Sequence, residues 1–99
     1  MDKQIGDWLA ELDDAGLREN TIVIYYSDHG GILPRAKRYI YDTGTHVPMI
    51  VQYPEKLAQM APGLPGSTSD RPVSFVDLAP TALSLAGVDI PQGMQGRAF

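Results

Sequence analysis

The feature that most constrains this chain is an unbroken hydrophobic run that ends in a polar turn. Residues 21–26 read TIVIYY, a run of β-branched and aromatic residues with no polar alternation. Such a run predicts a strand covered on both faces, as in a parallel sheet. The sequence SDHGG (residues 27–31) follows at once. It places a carboxylate and an imidazole where the strand ends.

The N-terminal segment has the pattern of an amphipathic helix. Apolar residues recur at helical spacing between Asp2 and Ala15, and Gly16 follows as a left-handed C-terminal cap. The apolar stripe consists of Ile5, Trp8, Leu9 and Leu12. We expect this stripe, including the indole of Trp8, to belong to the core.

The second half of the chain predicts one more strand and one more helix. Residues 47–53 (VPMIVQY) read as a short strand, and residues 55–60 as a helical turn. Residues 61–70 are rich in Pro, Gly and Ser and predict a surface loop. A last helix is expected to start with Asp77 as its cap and Pro80 in its first turn, and to end at Gly87.

This order of elements predicts an α/β fold with a mainly parallel sheet flanked by helices. The chain has 99 residues, which allows one small domain at most. Sheets of this kind bind ligands at the carboxyl ends of their strands. Asp28 and His29 lie at such an end.

Composition excludes several classes of function. The net charge is −4, and the only basic cluster is Arg35-Ala36-Lys37-Arg38, so a nucleic-acid partner is not expected. There is no cysteine, hence no disulfide and no thiolate metal site. No apolar run approaches the roughly 20 residues that span a bilayer.

Asp28 and His29 are the candidate metal ligands. A carboxylate and a neutral imidazole together suit a divalent cation, and the glycines after them allow both side chains to turn toward one ion. Alternatively, Asp28 caps the turn and His29 is a hydrogen-bonded ring. The local sequence on its own slightly favours these structural roles. Two ligands are in any case too few for a tight site.

The basic cluster is the candidate anion contact. Lys37 lies nine residues after Asp28, and Arg35 and Arg38 flank it. A cation close to a metal suits a phosphate or a sulfate, whereas a solvated basic loop is the simpler alternative. His46 and the tyrosines of this region (Tyr39, Tyr41 and Tyr53) are expected to pack. No nucleophile motif is recognisable.

The ordered combination of three segments resembles the later part of a type I sulfatase, within the alkaline phosphatase superfamily. These segments are ELDDAGLRENTIVIYYSDHGG, LPRAKRYIYDTGTHVPMIVQYP and VSFVDLAPTALSLAGVDIPQGMQGRAF, and they cover nearly the whole chain. The pair SDHGG and LPRAKR most resembles the branch that includes heparan N-sulfatase-like enzymes.

The resemblance implies roles for individual residues. Asp28 and His29 match the family's late metal-ligand pair, which holds one Ca²⁺ together with two earlier aspartates; His29 stands where many members have Asn. Lys37 matches a basic residue that contacts the sulfate, with Arg35 as its substitute. The implied partner is a sulfated small molecule or glycan. Periplasmic and extracellular members of the family are known, but the sequence leaves the compartment open.

One part of the family pattern is missing. The family's nucleophile is a formylglycine made from Cys or Ser in a Cys/Ser-x-Pro-x-Arg motif, and this chain contains no such motif. We therefore expect residues 1–99 to be one partial sulfatase domain that lacks the nucleophile region and is inactive alone. The alternatives are a metal-dependent phosphodiesterase or phosphonate hydrolase of the same superfamily, and a small non-catalytic α/β binding module.

Overall fold

The computed structural model describes residues 1–99 and divides into two compact units, Met1–Ala61 and Pro62–Phe99. The helices and strands are α1 (Asp2–Asp14), β1 (Val23–Tyr26), α2 (Asp42–Thr45), β2 (Met49–Gln52) and α3 (Leu78–Leu85). Short 3₁₀ turns span Arg18–Asn20, Glu55–Met60 and Phe75–Asp77. Every helix and strand predicted from the sequence is present, and α2 is an addition.

Helix α1 ends as its sequence predicts. Gly16 has a φ of 68°, in the left-handed region that glycine adopts without strain. Its amide donates to the Asp13 carbonyl at 2.9 Å, and the Leu17 amide donates to the Leu12 carbonyl at 3.2 Å. These two bonds form a Schellman motif, which satisfies carbonyls that the helix end leaves open.

The expected burial of the α1 stripe is only partly found. Ile5, Leu9 and Leu12 are half-buried, but the side chain of Trp8 is 57% exposed, so its placement in the core was wrong. An apolar stripe is buried only where neighbouring chain covers it. The N-terminal unit supplies little cover, and the only residues it buries fully are Ala36, Gly44 and Pro54.

Strands β1 and β2 pair with each other in an antiparallel ladder. Val23 lies opposite Gln52 and Tyr26 lies opposite Met49, so the end of β1 is beside the start of β2. This pairing differs from the parallel arrangement that the hydrophobic run suggested. The intervening chain returns to the same end of the sheet, whereas a parallel neighbour requires a crossover to the opposite end. Nor is β1 covered on both faces: its first three residues are half-buried, and its last residue, Tyr26, is exposed.

The C-terminal unit is organised around the start of α3. Asp77 does not cap α3 with its side chain, as the sequence had suggested. Its carboxylate instead accepts the Ser74 amide at 3.0 Å and the Arg97 amide at 2.9 Å. Pro80 is fully buried in the first turn. Asp77 therefore joins the turn before the helix to the C-terminal tail.

Thr81 makes a second link to the same tail. Its hydroxyl donates to the Asp77 carbonyl at 2.7 Å and accepts the Phe99 amide at 3.2 Å, and the residue is buried. At the other end of α3, Gly87 has a φ of 68° and closes a second Schellman motif with Val88. The predicted end of this helix is thus confirmed.

The architecture is a small mixed helix-and-strand arrangement. It is consistent with an α/β class, while a mainly parallel sheet in a larger domain remains a prediction. None of the helices combines the length and the apolar character that crossing a lipid bilayer requires.

Candidate active site

Asp28 and His29 follow β1 directly in a hydrogen-bonded turn. The Ser27 hydroxyl donates to the His29 carbonyl at 2.7 Å. The imidazole Nδ1 of His29 lies 2.6 Å from the Gly30 carbonyl oxygen. Both bonds are made within three residues, because the chain reverses where the strand ends. The Ser27 bond holds the backbone of the turn, and the Gly30 contact fixes the orientation of the His29 ring.

The contact with Gly30 determines the tautomer of a neutral His29. A carbonyl oxygen can only accept, so Nδ1 must carry the proton and donate it. Nε2 is then left with a free lone pair. This is the arrangement usual for a metal-ligating histidine, whose second ring nitrogen donates to a carbonyl or a carboxylate.

The free nitrogen faces the carboxylate of its neighbour. His29 Nε2 lies 3.5 Å from Asp28 Oδ2, with the side chains 36% and 81% exposed, respectively. Two acceptors at this distance repel each other unless a cation, either a proton on Nε2 or a metal ion, lies between them. The separation is within reach of two ligands that each lie about 2.3–2.6 Å from one ion. The residues present therefore fit part of a metal site.

No third ligand of this kind joins Asp28 and His29. No group of three or more His, Cys, Asp or Glu side chains that could hold a metal ion occurs in residues 1–99. A divalent cation such as Ca²⁺ takes six to eight oxygen ligands. Further ligands for a complete site must come from elsewhere.

A closed loop follows the Asp28-His29 pair. The amide of Gly30 donates to the carbonyl of Gly44 at 3.0 Å and ties the two ends of the loop together. A β-carbon on Gly30 would collide with the backbone carbonyl of Thr43, and one on Gly44 would collide with the carbonyl of Ala36. Both positions therefore require glycine, and Ala36 is buried inside the loop.

The basic cluster lies on this loop. The backbone amide of Lys37 donates to the Gly31 carbonyl at 3.1 Å, and its side chain forms no ion pair in residues 1–99. The guanidinium carbon of Arg35 lies 5.4 Å from the ring centroid of Tyr41, a cation–π contact. Of the two candidate anion contacts, Lys37 therefore has the less engaged side chain.

Comparison with known proteins connects this geometry to a family. A sequence profile described as "Sulfatase" matches residues 1–88. The chain belongs to the sulfatase family. It is 51% identical to an ulvan-active sulfatase of Formosa agariphila and 37% identical to an N-acetylglucosamine-6-O-sulfatase of Bacteroides thetaiotaomicron, with all of this chain covered in both. It is 33% identical to human arylsulfatase K over 96% of the chain.

The chain is much shorter than these relatives. It spans 16% and 17% of the two bacterial proteins and 17% of the human one. The family implies an alkaline-phosphatase-like α/β fold and a general dependence on metal. The resemblance to heparan N-sulfatase-like members stays a prediction, since the relatives named above are other sulfatases.

Three of the side chains that were expected to pack in this chain are exposed. His46 is 80% exposed, and its Nδ1 lies 3.5 Å from Asp42 Oδ1 one turn away. It follows α2 directly, at the C-terminal cap of that short helix. Tyr39 and Tyr41 are also more than half exposed. Tyr53 is half-buried and is the one of the three tyrosines that packs as expected.

Ser27 and Thr43 shape the site and were not found from the sequence. Ser27 holds the turn through the His29 carbonyl, and the Thr43 hydroxyl donates to the Arg35 carbonyl at 2.8 Å. A hydroxyl that bonds a backbone carbonyl leaves no spacing signal when its partner is eight residues away, as for Thr43. Ser27 was visible only as the residue before Asp28-His29.

Proposed function

We propose that the full-length enzyme containing this segment hydrolyses sulfate esters or sulfamates. By full-length enzyme we mean a polypeptide of the relatives' length. Asp28 and His29 would supply two ligands of one divalent cation, Ca²⁺, and a formylglycine elsewhere in the polypeptide would be the nucleophile. The supporting observation is the pair of facing acceptors, Asp28 Oδ2 and His29 Nε2, 3.5 Å apart.

The roles of this chain's residues follow from their hydrogen bonds. Gly30 accepts the Nδ1 proton of His29, so the ring presents Nε2 to the cation and cannot rotate without losing that bond. Asp28 contributes a negatively charged oxygen ligand, which a hard cation prefers to a neutral ligand. When bound, such a cation polarises sulfate oxygens and stabilises charge that develops on them.

Lys37 is assigned to the sulfate group. It lacks an ion-pair partner in this chain, and its backbone is held to Gly31 beside the Asp28-His29 turn. A lysine ammonium interacts with an anion as a point charge, which suits a sulfate held mainly by a metal. Arg35 is the substitute, but its guanidinium is already placed over the ring of Tyr41.

The substrate class follows from the names of the relatives. One is named for action on ulvan and another for action on N-acetylglucosamine with a 6-O-sulfate. We infer a sulfated carbohydrate as the substrate of the full-length enzyme. In that enzyme we also expect β1 and β2 to join a larger, mainly parallel sheet.

The phosphodiesterase and binding-module alternatives have less support. All the relatives named above are sulfatases. No observation on this chain favours phosphorus over sulfur as the reacting atom.

The proposed function is tested with a panel of substrates. The purified full-length enzyme is assayed on 4-nitrophenyl sulfate, N-acetylglucosamine 6-sulfate, ulvan oligosaccharides and bis(4-nitrophenyl) phosphate. We expect release of sulfate from at least one sulfated compound and a much lower rate on the phosphodiester. Turnover of the phosphodiester alone would overturn the proposal in favour of the phosphodiesterase alternative.

The assignment of Lys37 is tested with the same enzyme. Lys37→Ala is expected to weaken sulfate binding and reduce kcat/KM by about tenfold to a hundredfold, the range of a lost charge-assisted contact. Lys3→Ala is the matched control, because Lys3 pairs only with Asp7 on the surface of α1, where an ion pair contributes little. Unchanged turnover in Lys37→Ala would transfer the role to Arg35 or Arg38.

A further inference from the structure

Two tyrosines stand side by side on the loop that follows the Asp28-His29 turn. The ring centroids of Tyr39 and Tyr41 are 6.2 Å apart, with the ring planes inclined at 36°. Tyr39 is 59% exposed and Tyr41 is 51% exposed, so each ring keeps open surface. Large aromatic rings gain stability when their faces are covered, and their hydroxyls can still bond a polar partner.

Arg35 holds one of these rings in place. Its guanidinium carbon lies 5.4 Å from the centroid of Tyr41. The backbone beneath is fixed, because the Arg35 carbonyl accepts the Thr43 hydroxyl and the Tyr39 amide donates to the Ala36 carbonyl at 3.1 Å. The aromatic pair and its cation are thus carried by a closed, hydrogen-bonded loop.

The same loop keeps two arginines in an uncommon conformation. Arg35 has a φ of 65° and Arg38 a φ of 72°. Left-handed backbone at a residue other than glycine carries a conformational cost and persists where surrounding contacts determine it. Such residues are concentrated at functional sites. Here the two left-handed residues are both arginines, and they lie on the loop that carries the aromatic pair.

The charge of the loop indicates what would cover the rings. Residues 30–44 contain three cations and one carboxylate, Asp42, so the loop carries a net positive charge. None of Arg35, Lys37 and Arg38 forms an ion pair in residues 1–99. The surface is therefore complementary to an anion, and an apolar protein segment would leave these charges unpaired.

We propose that Tyr39, Tyr41 and Arg35, the aromatic platform, bind a pyranose ring of a sulfated carbohydrate next to the sulfate that is hydrolysed. This inference rests on the proposed function and names a subsite for it. The apolar face of the sugar ring covers the tyrosine rings, and the tyrosine hydroxyls meet its hydroxyls. Arg35 contacts an acidic substituent of the same sugar residue.

The test separates binding of the sugar from chemistry at the sulfate. Tyr41→Ala in the full-length enzyme is assayed on ulvan oligosaccharides, N-acetylglucosamine 6-sulfate and 4-nitrophenyl sulfate, which has no sugar. On the sugar substrate that the wild type hydrolyses, kcat/KM is expected to fall about tenfold through KM, near the upper range of an aromatic contact. On 4-nitrophenyl sulfate the loss is expected to be several times smaller.

Matched variants distinguish stacking from folding. Tyr41→Phe keeps the flat ring and is expected to retain most of the sugar activity, whereas Tyr41→Leu keeps apolar volume and is expected to lose it. Ile40→Ala is the control on the same loop, since Ile40 is almost fully exposed and lies outside the platform. If Tyr41→Ala does not fold, Tyr41→Leu and Tyr39→Leu carry the test.

Each outcome of these assays either supports or overturns the proposed sugar subsite. Selective loss on the sugar substrate supports the platform. Equal losses on sugar and aryl substrates, or no loss on either, would overturn it and leave the sulfatase function standing. If the wild-type enzyme hydrolyses no sulfated compound, the proposed function itself fails, and the platform is rejected with it.

Discussion

The amide of Gly30 donates a 3.0 Å hydrogen bond to the carbonyl of Gly44 and closes the loop beside the Asp28-His29 turn. Gly30 is part of both features, since its carbonyl accepts the Nδ1 proton of His29. One residue thus connects the orientation of a candidate metal ligand to the closure of the basic, aromatic loop. A change at Gly30 is expected to affect both.

Replacing Gly30 with alanine is expected to be costly. The added β-carbon would meet the Thr43 carbonyl, and backbone relaxation around an overpacked position costs about 1–3 kcal/mol. We expect Gly30→Ala to lower the melting temperature of the full-length enzyme and to reduce its sulfatase activity. Gly31→Ala is the control, because a β-carbon at Gly31 has no neighbour within 4 Å. Equal melting temperatures and equal activities of the two variants would contradict the close approach of Gly30 to the Thr43 carbonyl.

Two glycines of the α1 region are expected to respond to alanine in opposite directions. Gly6 lies inside α1 with open space around it, so Gly6→Ala should raise stability by roughly 0.5–1 kcal/mol through helix propensity. Gly16 has a φ of 68°, and Gly16→Ala should lower stability by about 1 kcal/mol because alanine is strained there. Urea unfolding of both variants and the wild type measures the change in the free energy of unfolding that each substitution causes. A stabilising Gly16→Ala would contradict the Schellman cap.

The hydrogen bonds to the Asp77 carboxylate indicate that the protein loses stability in acid. The amides of Arg97 and Ser74 donate to its carboxylate and lower the pKa of Asp77 below its ordinary value of 3.8. A carboxylate with a lowered pKa in the folded protein contributes stability that is complete above pH 3.8 and is lost as the pH falls through the lowered pKa.

Asp77→Asn is therefore expected to melt earlier than the wild type at pH 5 and to approach it at lower pH. Thermal melts from pH 5 downward give this comparison. Asp70→Asn is the control, since the Asp70 carboxylate accepts no hydrogen bond in the described chain. A constant difference between Asp77→Asn and wild type across this range would argue against a role for the charge.

Local signals accounted for the parts of the fold that were predicted well. The end of α1 at Gly16 and the end of α3 at Gly87 depend on contacts within six residues, so the sequence contains the whole motif. The two strands were likewise recognisable from their β-branched runs. Their antiparallel pairing depends on the path of the loop between them, which residue type does not specify.

Long-range contacts explain most of what was missed. The carboxylate of Asp77 bonds the Arg97 amide, twenty positions away, and no spacing rule predicts that choice over a helix cap. Trp8, Tyr39 and Tyr41 were expected to pack because large apolar rings usually do, but burial depends on cover from other chain. At the site, Asp28 and His29 were identified from the sequence, while the tautomer of His29 required the Gly30 contact.

The most direct test of the central claim is the metal content of the full-length enzyme carrying Asp28→Asn, measured by mass spectrometry after dialysis. The amide keeps the size of the side chain and removes the charge that a hard cation prefers. We predict that wild type and the exposed control Asp89→Asn retain Ca²⁺ and sulfatase turnover, whereas Asp28→Asn loses both. Full Ca²⁺ occupancy and unchanged turnover in Asp28→Asn would contradict the assignment of this turn to a metal site.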